Sequence, residues 1–448
     1  MTDAPAADER APVGPGFSTL QVQAGYVPGL AQNTAVTPIY QSNAYEFASL
    51  AAARDAFALR TLGNVYSRNA NPTQLVFEER IARLEGGTAA VAVASGQAAT
   101  AGAVLALAGR GQHVVAARQL YGGTIDLLQE TLAELGIETT FVDQDDLDGW
   151  RDAVRPETRA FFAESITNPL GAVLDVAAVA EIAHAAGVPL VIDNTVATPF
   201  LQRPRDHGAD VVVHSATKYI GGHGSSLGGV IVDLGTFDFG ADPERWPQFT
   251  EPYARIGGES LWGRFGADGL ALAVWLKTKY VHDFGPTLSA FNSFQFLQGL
   301  ETLDLRMRRH SDSALEVARF LEGHPSVSAV HHAGLDTSPW HANALRYLPR
   351  GTSAVFSFDL LASGDAQRDL LRVEAVVDGL RLVRLVANIG DARSLVSHPA
   401  SMTHSHMTPV QLAEAGISPT TIRLSIGLEE PADIIADLAR SFDEAFAA

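Results

Sequence analysis

The chain has 448 residues, 46% hydrophobic and 19% charged, the composition of an ordinary folded protein long enough for two or three domains. Its formal net charge of −19 repels phosphate backbones and anionic lipid, which argues against nucleic-acid and membrane-surface partners. With no cysteine, disulfides, zinc–thiolate centres and thiol nucleophiles are excluded together.

The opening stretch MTDAPAADERAPVGPG has neither a basic start nor an apolar run. A disordered tail over residues 1–16 and a cytoplasmic protein are expected. NPTQLVFEERIARLEGG reads as a helix, with Pro72 at its start and Gly86 and Gly87 after its end. A strand AAVAVA, a helix GQAATAGAVLALAG, a strand QHVVAA, a helix GGTIDLLQETLAELG and a strand IETTFV follow. RAFFAE, VPLVID, ADVVVH and GGVIVD read as further strands, with the helix DVAAVAEIAHAAG between the first two. Short apolar strands alternating with helices predict an α/β fold with a mostly parallel sheet covered on both faces. From about Asp283 a long helical stretch runs through LETLDLRMRRHSDSALEVARFLEG. The strands SVSAV, SAVFSFDLL and TIRLSIG and the closing helix PADIIADLARSFDEAF complete a smaller α+β domain.

In such sheets ligands bind beyond the carboxyl ends of the strands, and four segments fall there. ASGQAA sets Gly96 and Gln97 at a helix N-terminus, where free N–H groups suit a phosphate. VIDNT ends the most apolar strand in Asp193, HSATK carries Ser215, Thr217 and Lys218 past another, and QLYGGT places Tyr121 at a fourth. Lys218 is one of only three lysines in a chain that otherwise uses arginine, and an arginine cannot serve as a nucleophilic amine. A phosphate for the amides and hydroxyls, an aromatic ring for Tyr121, a ring nitrogen for Asp193 and an aldehyde for Lys218 meet in pyridoxal phosphate. A P-loop is excluded because Lys218 precedes its glycines, and GRGQHV runs from helix to strand, the wrong order for a dinucleotide site. His398, His404 and His406 lack a ligand spacing, so no metal is expected.

YSRNANPT, ASGQAA, LYGGT, ESITNP, VIDNT, HSATKYIGGHG, GDARSLVSHPASMTHS and IRLSIGLE occur in this order. Together they resemble the Cys/Met-metabolism family of pyridoxal-phosphate enzymes from about Ser18 to the C-terminus. The resemblance implies the aspartate-aminotransferase type fold (fold type I): an N-terminal arm over residues 17–70, a large cofactor domain over 71–282, and a linking helix with the small domain over 283–448. It also implies that Lys218 forms the Schiff base, Asp193 pairs with the ring nitrogen, and Tyr121 stacks on the ring and carries protons. Gly96, Gln97, Ser215 and Thr217 would hold the phosphate, with Tyr66 and Arg68 reaching it from a neighbouring subunit. Arg423 would bind the substrate carboxylate, with Ser394 and Asn168 assisting at that carboxylate and at the ring oxygen of the cofactor. A homo-oligomer is implied, a tetramer built from dimers with shared active sites.

FDFGADPERWPQFTEPY, FNSFQFLQGLETLDLRMRRH and VANIGDARSLVSHPASMTHS are most similar to the branch of the family that acts on O-acetylhomoserine with sulfide or a thiol. Reactions of the cystathionine γ-synthase or methionine γ-lyase type remain alternatives, as does a non-catalytic cofactor-binding protein. Methionine γ-lyases usually carry a cysteine two residues after the stacking tyrosine, where this chain has Gly123.

Overall fold

Seven short strands rich in valine, isoleucine, alanine and phenylalanine, β1 Ala89–Val93, β2 His113–Ala117, β3 Glu138–Val142, β4 Thr158–Glu164, β5 Leu190–Asp193, β6 Val211–Ser215 and β7 Gly229–Asp233, stand out among the described residues of the computed structural model. The structure describes residues 15–61 and 63–447, so the expected tail lies, up to residue 14, outside the described residues. The strands join one sheet in the order β1-β7-β6-β5-β4-β2-β3. The pairs from β3 through β6 are parallel, whereas β7 runs antiparallel to both β1 and β6. The chain passes from β6 to β7 through the glycine-rich loop after Lys218 and not through a crossover helix, which permits the reversal. Every residue of β2 and of β7 is buried, as happens only when helices cover both faces.

The helix Pro72–Glu85 begins at Asn71, whose side chain accepts the Thr73 N–H, and ends at Gly86 with φ +77°. The proline and the left-handed glycine bound it where the sequence places them.

A second sheet takes the order β10-β11-β12-β9-β8, from β8 Val327–His331, β9 Val355–Leu360, β10 Arg384–Leu385, β11 Leu395–Ser397 and β12 Thr421–Ser425. All its pairs are antiparallel except β10 with β11. The helices Leu303–Glu322, Ala366–Gly379 and Pro431–Ala447 pack with it, and Phe442 meets Phe358 edge to face at 5.9 Å. The expected α/β sheet followed by a smaller α+β unit is therefore present.

The long helical stretch is interrupted. A π-helical segment, Leu276–Phe284, stops at Gly285, and the helices Ala290–Leu300 and Leu303–Glu322 are separate. At that break Arg306 turns back, donating to the carbonyls of Gly299 and Tyr219, both at 2.7 Å. The guanidinium satisfies the Gly299 carbonyl, which a continuous helix would have paired, and ties the break to the Tyr219 carbonyl in the loop after β6. Among the described residues no helix is long and apolar enough to cross a membrane.

Candidate active site

The carboxyl ends of β4, β5 and β6 bring Glu164, Asp193 and Ser215 to the rim of one cavity of about 290 Å³. Ser95 caps the helix Gly96–Leu107, its hydroxyl accepting the Ala98 N–H at 3.1 Å. Gly96 lies so close to β6 that a Cβ there would come within 2.6 Å of the Ser215 Cβ. Only glycine lets the positive end of this helix approach the Ser215 and Thr217 hydroxyls. Thr217 is held by Gly228, donating to its carbonyl at 3.2 Å and accepting its N–H at 3.1 Å. The Gln97 side chain donates to the Gly123 carbonyl at 2.7 Å and so ties this helix to the turn after Tyr121.

Asp193 accepts the Thr195 N–H at 2.9 Å. It stands beside Glu164, its partner across β4 and β5. Burial pushes both carboxyl groups above their ordinary range, and for Glu164 the neighbouring Asp193 adds to the effect. A buried carboxyl in this state is stabilised by an incoming cation, the property that a protonated ring nitrogen supplies.

Tyr121, 41% exposed, presents its ring at the cavity mouth. A Cβ at Gly123 would lie 2.7 Å from the edge of that ring, so the ring keeps this position only because residue 123 has no side chain.

Lys218 donates from Nζ to Asn388 Oδ1 at 2.5 Å. Burial, and then the charge of Arg423, lower its amine to about 8. Arg423 is 2% exposed. It donates to Asn168 Oδ1 at 3.2 Å and to the Asn388 carbonyl at 3.0 Å. Burial lowers it to about 10, and among the described residues its Nε finds no acceptor. A buried guanidinium held by neutral oxygens is a prepared site for a carboxylate.

Gly96, Gln97, Tyr121, Asn168, Asp193, Ser215, Thr217, Lys218 and Arg423 thus line one cavity. Ser394 does not: it is fully buried, and its hydroxyl bonds Glu429 Oε2 at 2.8 Å and the Gly427 N–H at 2.9 Å. The expected role of Ser394 at the substrate carboxylate is corrected, because its hydrogen bonds are spent inside the small domain. Asn388, six residues earlier, occupies the place beside Arg423. Tyr66 and Arg68 line no part of this cavity; Tyr66 is 43% exposed, with the Arg68 guanidinium 5.7 Å from its ring centre.

Among the further residues of the cavity left unassigned in sequence are Glu164, Thr195 and Asn388. Glu164 and Thr195 stood within the quoted ESITNP and VIDNT, so position alone could have found them. The three histidines diverge: His398 bonds Ser401 and the Pro419 carbonyl, His406 pairs with Asp126 at 2.9 Å, and His404 is held near 4, chiefly by burial.

An anion cradle, a buried carboxyl, an exposed ring and an amine of lowered basicity in one cavity fit pyridoxal phosphate, the group of a covalently held phosphorylated aldehyde. Residues 18–443 match the model of the family described as Cys/Met metabolism PLP-dependent enzyme. Two relatives are named O-acetyl-L-homoserine sulfhydrylase. That of Leptospira meyeri is 44% identical, over 94% of this chain and 95% of its own. That of Corynebacterium glutamicum is 46% identical, over 95% and 97%. A solved structure of a putative O-acetylhomoserine (thiol)-lyase from Campylobacter jejuni, containing a pyridoxyl-lysine monophosphate, superposes with TM-score 0.89 at 37% identity, covering 95% of this chain and 99% of that one. The chain belongs to the Cys/Met-metabolism family of pyridoxal-phosphate-dependent enzymes and has its fold type I architecture.

Proposed function

We propose that the protein catalyses a γ-replacement, converting O-acetyl-L-homoserine and sulfide to L-homocysteine and acetate, with methanethiol as a possible second nucleophile. The observation that carries this reading is the buried Arg423, held only by neutral oxygens and placed with Lys218 around Asn388. It supplies a carboxylate anchor next to an amine that is readily deprotonated. The names of the relatives supply the substrate class.

The residues fit the cofactor as follows. Lys218 would bond to its aldehyde, and Asp193 would face its ring nitrogen. Tyr121 would cover the ring, and Asn168 would face the ring oxygen. The Gly96 and Gln97 amides and the Ser215 and Thr217 hydroxyls would hold the phosphate. The lysine that carries the pyridoxyl group in the Campylobacter jejuni structure supports the assignment of Lys218. When bound, the cofactor takes up the electrons released at the substrate carbons.

The protein side chains do the rest. Arg423 orients the amino-acid end. Lys218, displaced by the substrate amine and lowered in basicity chiefly by burial, takes the Cα proton. Further proton transfer at Cβ, with the Tyr121 hydroxyl as second carrier, lets acetate leave Cγ and sulfide enter there. Gly123 stands where methionine γ-lyases usually carry a cysteine, which favours replacement over the γ-lyase alternative.

The proposal extends to a cytoplasmic homotetramer built from dimers, in which Tyr66 and Arg68 reach a neighbouring site. That they do not line the cavity of their own chain is what such sharing requires. The test is purified protein with O-acetylhomoserine or O-succinylhomoserine, each with and without sulfide, scored for homocysteine. Sulfide-dependent homocysteine from the acetyl ester is expected; none from either ester contradicts the proposal.

A further inference from the structure

Glu164, 5% exposed, is one of the residues lining the cavity, and nothing above gives it a task with phosphate, ring nitrogen or substrate. Its two oxygens reach in different directions. Oε1 accepts the main-chain N–H of Tyr121 at 2.6 Å, and Oε2 accepts that of Asn168 at 3.0 Å. Tyr121 lies beyond β2 and opens the helix Gly122–Asp126, whereas Asn168 lies in the turn after β4. Asn168 in turn presents its Oδ1 to Arg423. One carboxyl group therefore joins the residue facing the ring to the residue supporting the carboxylate anchor.

We propose that Glu164 is a positioning residue of the cofactor pocket, a clamp on the main chain of Tyr121 and Asn168 that fixes where the Tyr121 ring and the Asn168 side chain stand. The clamp deepens, and rests on, the reading that this pocket holds pyridoxal phosphate under Tyr121. Its physical basis is acceptor geometry. A glutamate offers an acceptor to each N–H, whereas a glutamine of the same size turns one acceptor into an NH2 group that confronts an N–H donor. Half of the clamp then fails, and one loop is released.

The experiment titrates cofactor-free protein with pyridoxal phosphate and records affinity together with the circular dichroism of the bound cofactor band. Glu164→Gln is expected to weaken binding roughly fivefold or more, the worth of a main-chain hydrogen bond lost in a buried place. It is also expected to alter the cofactor's dichroism, because the ring above it has moved. In double-mutant cycles with Tyr121→Ala and with Asn168→Ala the losses should fall short of additive, since Glu164 acts through those residues. A merely structural role gives additive losses and an unchanged band.

If Glu164→Gln yields no folded cofactor-free protein, Glu164→Asp carries the same cycles, because it keeps both acceptors but withdraws them by one methylene. Weakened binding by Tyr121→Ala with no effect of the substitution at 164, or full additivity in both cycles, overturns the clamp alone. Wild-type protein that does not bind pyridoxal phosphate overturns the pocket reading and the clamp with it.

Discussion

Lys218 and Arg423 are registered through one residue: Asn388 accepts the Lys218 amine on its side chain at 2.5 Å and the Arg423 guanidinium on its main chain at 3.0 Å. The Lys218 amine and the Arg423 guanidinium cannot move independently while both bonds hold. The same proximity makes Arg423 the second cause, after burial, of the lowered basicity of Lys218.

A pH dependence follows from that relationship. The neutral amine is the reactive form, so labelling of Lys218 by an aldehyde in cofactor-free protein should rise with pH through about 8. An ordinary lysine titrates near ~10.4. Arg423→Ala removes one of the two lowering causes and should move the midpoint upward. Borohydride trapping followed by peptide mapping across pH reads both values. A wild-type midpoint near that of an ordinary lysine would contradict the assignment.

With cofactor added, borohydride should fix it to Lys218 alone. Lys218→Ala should lose the covalent link and nearly all turnover while retaining noncovalent binding through the phosphate cradle. Label found on Lys277 would not fit: that amine is already paired with Glu78 at 2.6 Å.

Arg423→Ala should lower kcat/KM at least ~10-fold, since a charge-assisted contact in a desolvated site is worth roughly 1.5–3 kcal/mol and about 1.4 kcal/mol is tenfold. Arg423→Lys should recover only part, because an ammonium cannot reproduce the two-pronged geometry. The cofactor absorption should barely change. Near-normal kinetics in the alanine variant would make Arg423 a structural residue of β12.

Ser394→Ala separates the small domain from the site. It removes an acceptor from the Gly427 N–H and a donor from Glu429, so stability should fall by about 1–3 kcal/mol, read as a lower denaturant midpoint. The KM for O-acetylhomoserine should hold. A raised KM with unchanged stability would return Ser394 to the substrate.

Mixing Lys218→Ala chains with Arg68→Ala chains should restore activity if Tyr66 and Arg68 serve a neighbouring site, because one site in each hybrid dimer regains both groups. Verified heterodimers without activity would count against sharing.

The large sheet was legible in the sequence because its strands are continuous apolar runs such as VPLVID, one ending in Asp193 and another followed three residues on by Lys218. β10, of two residues, and β11, of three, are too short to leave a pattern, and their pairing depends on β12 arriving from far along the chain. The broken helix near Glu301 escaped for a similar reason: the group that stabilises the break, Arg306, looks like any exposed arginine until its carbonyl partners are in place. Ser394 was misplaced because a serine in GDARSL says nothing of the direction in which its hydroxyl points. Asn388 stood within the quoted VANIGDARSLVSHPASMTHS, but its bond to Lys218 is made only when the loop after β6 and the small domain meet.

The central claim is replacement at Cγ by a site built on Lys218 and Arg423, and the most direct test counts two products in one reaction. With O-acetylhomoserine and sulfide, acetate and homocysteine should appear in equal amounts. Both should vanish in Lys218→Ala. Acetate released together with a 2-oxo acid and ammonia, and without homocysteine, would show elimination in place of replacement and contradict the account.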